Sequence, residues 1–290
     1  MSRSISKLVL LGTGLISGSF ALALKRARLV SEVVGVGRNP ANLARAIELR
    51  VIDVASHDAA EAVKDADLVF LGTPVGQMSE LMMQIAPHLS PTCIVTDGGS
   101  TKQDVCALYR QCLPNQLAYC VPGHPIAGSD LSGASAATYG LYEGRRTVLT
   151  PLAETSAEAL AMVRALWQAC GATVYEMDAK THDGVFAAVS HVPHLVSFAY
   201  MNAVLGKDNS GQCLDFAGTG FRDFTRIAGS HPEMWRDITL ANREAILSDL
   251  RANVAQLQGL ISLIETGQSA ELTEYINQAS QARSSWGKKR

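Results

Sequence analysis

The chain has little net charge. Its 25 Lys and Arg against 27 Asp and Glu leave a formal charge of −2 over 290 residues, so it carries no electrostatic footprint for nucleic acid or an anionic membrane surface. An anionic ligand must be held by a few placed cations. No C-x-x-C pair and no zinc spacing occurs among Cys93, Cys106, Cys112, Cys120, Cys170 and Cys213. A chain of this length buries a core without covalent staples, so these are expected to be buried, reduced thiols of a cytoplasmic protein. Short-period repeats and low-complexity tracts are also missing, which excludes fibrous and disordered classes. Membrane-length apolar runs are expected nowhere past residues 8–24, and that stretch is broken by Gly12, Gly14 and Gly18. Lys25-Arg26-Ala27-Arg28 stands where a cleavage site would need small residues, so a secretory signal is not expected.

What is present is a 47% hydrophobic composition with 24 glycines, which fits two modest globular domains. Through residues 1–176, short apolar or β-branched runs at 8–11, 33–36, 68–71, 93–96, 118–121, 147–149 and 172–175 alternate with helix-period segments. Several runs are uniformly apolar, as in strands covered on both faces of a mostly parallel sheet, so the expected architecture is doubly wound α/β. From 177 to 290 the strand signals give way to long helix-period stretches at 184–205 and 234–266, split by the polar turn 206–211. The second domain is expected to be all helical.

The first motif, Gly12-Thr13-Gly14-Leu15-Ile16-Ser17-Gly18, follows the first strand run and opens an amphipathic helix. Gly12 permits the tight turn and Gly14 lets backbone approach a pyrophosphate resting on the amides around Leu15 and Ile16, which points to a dinucleotide. The third glycine of G-x-G-x-x-G is replaced by Ser17, with Gly18 one position later. At the end of the next run, Gly37-Arg38 stands where an NAD site wants a carboxylate, so NADP is favoured and NAD remains possible. Thr73-Pro74 closes another run and can line the cofactor. Ser100, in Asp97-Gly98-Gly99-Ser100-Thr101-Lys102, could offer a hydroxyl near the nicotinamide or cap the following helix.

His124 lies in Pro122-Gly123-His124-Pro125-Ile126-Ala127-Gly128, fixed by prolines and glycines at a strand end. It reads equally as a structural residue or as an acid or base in the cleft. On a uniform helix His191 falls about 180° and His194 about 120° from His182, so no face gathers all three and no metal is expected. His191 could equally pack against the facing domain. Arg222 and Arg226, flanked by Phe221, Phe224 and Ile227, emerge from apolar surface, with Asp223 and Asp237 able to hold them. That setting suits gripping a carboxylate.

Taken together, G-T-G-L-I-S-G-S at 12–19, D-G-G-S-T-K at 97–102, G-H-P-I-A-G at 123–128, S-H-V-P-H at 190–194 and F-R-D-F-T-R-I-A at 221–228 resemble the prephenate/arogenate dehydrogenase family of tyrosine biosynthesis. The resemblance implies a Rossmann-type domain, a helical dimerisation domain and hence a homodimer, and oxidative decarboxylation of a cyclohexadienol with a nicotinamide cofactor. It implies that His124 accepts a hydrogen bond from the ring hydroxyl, assisted by Ser100. It also implies that Arg226 and His194 grip substrate carboxylate while Ser190 and Trp235 line the pocket. Asp130 could reach a substrate ammonium group, favouring arogenate, or merely pair with Arg226. With no helical extension before residue 8 and no regulatory domain after the helices, feedback control is expected to be weak or to act at the active site. A hydroxyacid or imine dehydrogenase is the rival enzyme and would rely on a junction lysine, for which Lys180 is the candidate. A non-catalytic NADP-sensing protein is the rival from another class.

Overall fold

The computed structural model describes residues 5–128 and 131–287. Two compact units divide it, Met1–Arg243 and Glu244–Arg290. The first opens with β1 (Ile5–Leu11), α1 (Leu15–Arg26), β2 (Val30–Val36), α2 (Pro40–Glu48), β3 (Val54–Ser56), α3 (Ala59–Ala62), β4 (Leu68–Leu71), α4 (Val75–Ile85), β5 (Ile94–Asp97), α5 (Gln103–Cys112) and β6 (Cys120–Val121). These strands form one six-stranded sheet in the order β3-β2-β1-β4-β5-β6, all parallel. Order reverses between β1 and β4, and ligands of doubly wound sheets bind at that switch point, outside the carboxyl ends of the strands.

Both faces of the sheet are covered, so strands such as β4 are buried at every position. One face packs Phe20, Phe70 and Trp167 in mutual ring contact, and the other packs Val69, Met78, Met82 and Tyr109. β3, only three residues long, falls outside the runs expected from the sequence because Val54 and Ala55 are exposed at the sheet edge.

A single sheet does not continue past β6. Pro122 has no N–H to extend the parallel ladder, and the chain starts a second sheet there: β7 (Gly123–Ile126), β8 (Arg146–Leu149) and, after α6 (Ala157–Ala169), β9 (Thr173–Glu176). β7 runs antiparallel to β8, which is parallel to β9. His124 therefore sits within a strand of a separate sheet, opposite Val148, rather than in a loop.

Helices follow: α7 (Ala179–Phe186), a π-helical turn over Ala187–His191, α8 (Val192–Leu205), α9 (Ser210–Asp215), α10 (Thr219–Thr225), a 3₁₀ turn over Arg226–Gly229 and α11 (Pro232–Ala241). They share the first unit with the sheets, so compactness divides the chain later than the change of sequence pattern at 176/177 does. Contrary to expectation, the run Ala179–Leu205 is long and apolar enough, by length and composition alone, to cross a membrane. Within it His182, Asp183 and His191 are buried, in the polar cluster described below. Glu244–Arg290 holds most of α12 (Arg243–Glu265) and all of α13 (Ser269–Gly287). On α12, Val254, Leu257, Ile261 and Ile264 are exposed at helical spacing.

Candidate active site

Two cavities of about 460 and 440 Å³ lie at the carboxyl ends of the parallel strands and share Thr73. The glycine turn shapes both. Gly12 has φ +97°, and a Cβ there would lie 3.0 Å from the Gly72 carbonyl oxygen, so turn and close approach both require glycine. Gly14 caps α1 with open space where its Cβ would be, leaving the first-turn amides around Leu15 and Ile16 available to an anion. Ser17 Oγ donates to Gly12 O at 2.5 Å and accepts from the Gly14 N–H at 3.2 Å, which braces the turn in the third glycine's place. The close packing passes to Gly18, where a Cβ would come 2.7 Å from Ala137 Cβ. Asn42 steadies the same loop, donating to Thr13 O and Oγ1 and accepting from the Ala134 N–H.

The first cavity is lined by Gly12, Thr13, Gly37, Arg38, Asn39, His57 and Thr73. Arg38 is exposed at its rim, and His57 Nδ1 lies 2.8 Å from Gly37 O, a contact absent from the sequence reading because His57 follows the unforeseen β3. The second cavity takes Gly14, Leu15, Ile16, Thr73, Pro74, Ser100 and His124 from the sheet side. Thr73 Oγ1 is buried without a hydrogen-bond partner among the described residues. Thr73, shared by both cavities beside open helix amides, fits a dinucleotide laid across the switch point.

Ser100 is not a helix cap. The capping position of α5 is Lys102, and its first amides are held from α7 instead: Lys102 N–H donates to Asp183 Oδ1 at 2.8 Å and Gln103 N–H to Asp183 Oδ2 at 2.9 Å. The Ser100 side chain is thereby left to line the cavity. Beneath it, Asp97 is fully buried. It accepts from the Gly99 N–H (2.8 Å), the Gly123 N–H (3.1 Å), Tyr109 OH (3.4 Å) and the Lys102 ammonium, itself fully buried. One carboxylate so ties the Ser100 loop to the start of the His124 strand.

His124 Nδ1 lies 2.8 Å from His182 Nε2, and His182 Nδ1 lies 2.8 Å from Asp183 Oδ1. Desolvation first, then the neighbouring His182 and Lys102, holds the His124 pKa well below the usual imidazole value. Burial also lowers that of His182, against the opposing pull of Asp183. His124 is therefore neutral at pH 7. Burial alone would raise the Asp183 pKa, but the hydrogen bonds from His182, Gln103 and Lys102 outweigh it and keep the carboxylate ionised.

The π-helical turn defeats a uniform 100° projection. His191 comes beside the His182–Asp183 pair after all, with Asn242 Nδ2 donating to Asp183 O at 2.8 Å and lying 3.1 Å from His191 Nδ1. Burial lowers the His191 pKa to about 4. Among the described residues no group of three or more His, Cys, Asp or Glu could hold a metal ion.

Ser190, His194 and Trp235 are brought together: His194 Nδ1 donates to Ser190 O at 2.8 Å, and its ring stacks on Trp235 with centroids 3.8 Å apart. Arg226 is exposed, close enough that its charge, after burial, helps lower the His194 pKa. Asp237 pairs with Arg236 rather than with Arg222 or Arg226. The helical wall of the second cavity is made by Gly229, Ser230, His231, Met234 and Ile238. In sequence, Gly229-Ser230-His231-Pro232 directly follows the arginine segment, and that adjacency is the one local sign of this wall. Asp130 lies outside the described residues. Lys180 is exposed.

A family model for the nucleotide-binding domain of prephenate dehydrogenase matches residues 20–176, and one for its dimerization domain matches residues 178–278. The prephenate dehydrogenase of Bacillus subtilis is 34% identical over 98% of this chain and 76% of its own length. The cyclohexadienyl dehydrogenase of Zymomonas mobilis is 33% identical over 95% of this chain and 94% of its own. The crystal structure of Aquifex aeolicus prephenate dehydrogenase in complex with hydroxyphenyl propionate and NAD+ superposes with a TM-score of 0.92 at 33% identity, covering 98% of this chain and 99% of that one. With the parallel sheet, the glycine turn at its switch point and the histidine-bearing cavity beside it, these matches place the chain in the prephenate dehydrogenase family.

Proposed function

We propose that this chain catalyses the oxidative decarboxylation of prephenate and/or arogenate to 4-hydroxyphenylpyruvate and/or tyrosine, with NADP favoured over NAD. The observation that carries the reading is the neutral His124 on the wall of a cavity that adjoins the glycine turn. A bound nicotinamide supplies the hydride acceptor. Gly12, Gly14, Leu15, Ile16, Thr73 and Pro74 hold that cofactor, and Gly37 with Arg38 receives its ribose end, where a guanidinium can pair with a phosphate.

His124 Nδ1 is occupied by His182, so Nε2 is the atom left to accept the hydrogen bond of the substrate's ring hydroxyl. As that bond polarises the hydroxyl, hydride departs from the same carbon. The carboxylate then leaves as CO2, and its bonding pair completes the aromatic ring while the oxygen keeps its proton in the product. Aromatisation drives the step, which needs neither a metal nor a covalent nucleophile. Ser100 assists His124. Arg226 and His194 grip substrate carboxylate beside Ser190 and Trp235. Because His194 Nδ1 donates to Ser190 O, its Nε2 grips an anion only when protonated, so the carboxylate draws a proton onto this ring as it binds.

Residues 1–176 serve the cofactor, and 177–290 serve the substrate and a homodimer whose contact includes the exposed stripe of α12. The free cysteines, five of them buried, fit a cytoplasmic enzyme. A lysine-dependent hydroxyacid dehydrogenase is disfavoured, since Lys180 is exposed and Lys102 is tied to Asp97. Supplying prephenate or arogenate with NADP should yield reduced cofactor and CO2 in equal amounts. Cofactor binding without consumption of either substrate would instead favour an NADP-sensing protein and overturn the proposal.

A further inference from the structure

The face of His124 presented to substrate depends on which ring nitrogen carries its proton, and the chain of contacts behind it decides that. Asp183 is acceptor-only when ionised, and its two oxygens already take the Lys102 and Gln103 amide protons. The nitrogen 2.8 Å from Oδ1, His182 Nδ1, must therefore be the donor. A neutral imidazole with its proton on Nδ1 has a bare Nε2, and that lone pair points at His124 Nδ1, 2.8 Å away. Two lone pairs cannot face each other at that distance, so His124 carries its own proton on Nδ1. Its Nε2 is then bare and ready to accept. The opposite arrangement, Nε2–H on His124, would make it a donor to the substrate oxygen.

We propose that Asp183 and His182 are positioning residues that relay a fixed tautomer to His124, setting Nε2 as the hydrogen-bond acceptor of the dehydrogenation. The relay is rigid. His182 and Asp183 are fully buried, Phe186 packs against both imidazoles, and Asp183 is pinned by the amides at the start of α5. It also answers the charge that appears as the substrate hydroxyl proton shifts toward Nε2. The Nδ1–H bond to His182 strengthens, with the Asp183 carboxylate behind it, and the proton returns to the same oxygen as the ring becomes aromatic. The other charged or titratable groups near the pair are Lys102, paired with Asp97, His191, bound to Asn242, and the Asp104 carboxyl at the start of α5.

This inference rests on the reading of His124 as acceptor, and its test is separable from turnover. Long-range ¹H–¹⁵N correlation spectra of the full chain with ¹⁵N-labelled histidine, assigned with His124→Asn and His182→Gln, should show both His124 and His182 protonated on Nδ1 at neutral pH. A proton on His124 Nε2 would overturn the relay even if the enzyme is active. His182→Leu removes the acceptor and should lower kcat about 10- to 100-fold, the usual cost of losing an outer hydrogen-bond partner, with KM for cofactor unchanged. His182→Gln keeps a side-chain oxygen able to accept from His124 Nδ1 and should recover most of that loss. Equal kcat in His182→Leu and wild type, or no recovery in a folded His182→Gln, would contradict it. Should His182→Leu fail to fold, the wild-type spectrum and His182→Gln decide the matter.

Discussion

Asp97→Asn probes the joint on which the site is hung. The wild-type carboxylate is fully buried, accepts two backbone N–H groups and a tyrosine hydroxyl, and pairs with a fully buried ammonium. In the variant one end of the amide turns an N–H toward these donors, and Lys102 loses its counter-charge. Breaking one partner of a buried pair costs about 3–5 kcal/mol. At about 2–4 °C per kcal/mol for a unit of this size, the melting temperature should fall by about 6–20 °C. Differential scanning calorimetry of Asp97→Asn beside Asp97→Asn/Lys102→Met separates the causes: the double variant removes the stranded charge and should regain more than half of the loss. A single variant that melts within 2 °C of wild type (about 1 kcal/mol or less), or a double variant no better than the single, would refute the argument that charge burial dominates here.

Arg226→Ala should raise KM for substrate by the equivalent of about 1.5–3 kcal/mol, the worth of hydrogen bonds to a charged group, while Arg222→Ala does much less and cofactor affinity holds in both. Equal losses in initial-rate kinetics would take Arg226 out of that role. Gly37→Asp/Arg38→Ile should reverse a preference for NADP worth about ten- to a hundredfold in kcat/KM, since it restores an acceptor for the ribose hydroxyls and deletes the cation. A native enzyme that uses NAD as well as NADP would make Arg38 a solvated rim residue. Leu257→Asp/Ile261→Asp on the exposed stripe of α12 should turn a dimer into a monomer by sedimentation equilibrium. A monomeric wild type would sink the homodimer.

Where local chemistry repeats along the chain, the sequence was readable. The glycine turn, the apolar strands on both sides of it and the change to helical period near residue 177 each announce themselves within a dozen residues. What could not be read depended on partners distant in sequence or on a departure from regular geometry. Asp183 gave no sign of capping α5 because its two amide partners lie 81 and 80 residues away. The Asp97–Lys102 pair lies at the two ends of Asp97-Gly98-Gly99-Ser100-Thr101-Lys102, yet only burial gives five-residue spacing in a loop any meaning. His191 was turned to the wrong side by assuming uniform helix, since a π-helical turn leaves no simple sequence mark. Pro122 was visible throughout, but as the break between two sheets it became legible only once β7 was seen pairing with β8.

The claim at the centre is that a neutral His124 accepts the substrate's hydroxyl proton in a hydrogen bond while hydride leaves. Measuring kcat/KM against pH for the wild type and His124→Asn tests it most directly. Burial first, then the neighbouring His182 and Lys102, depress the His124 pKa, so the neutral form persists well below the usual imidazole range. Wild-type kcat/KM should therefore fall at acid pH with the ionisation of one group, while the proton that His194 takes up with the substrate makes it decline as pH rises. His124→Asn should lose kcat by about 10²- to 10⁴-fold with little change in substrate affinity, and the acid limb should vanish with the imidazole. A variant that keeps near wild-type turnover, or an acid limb unchanged by the substitution, would contradict the account.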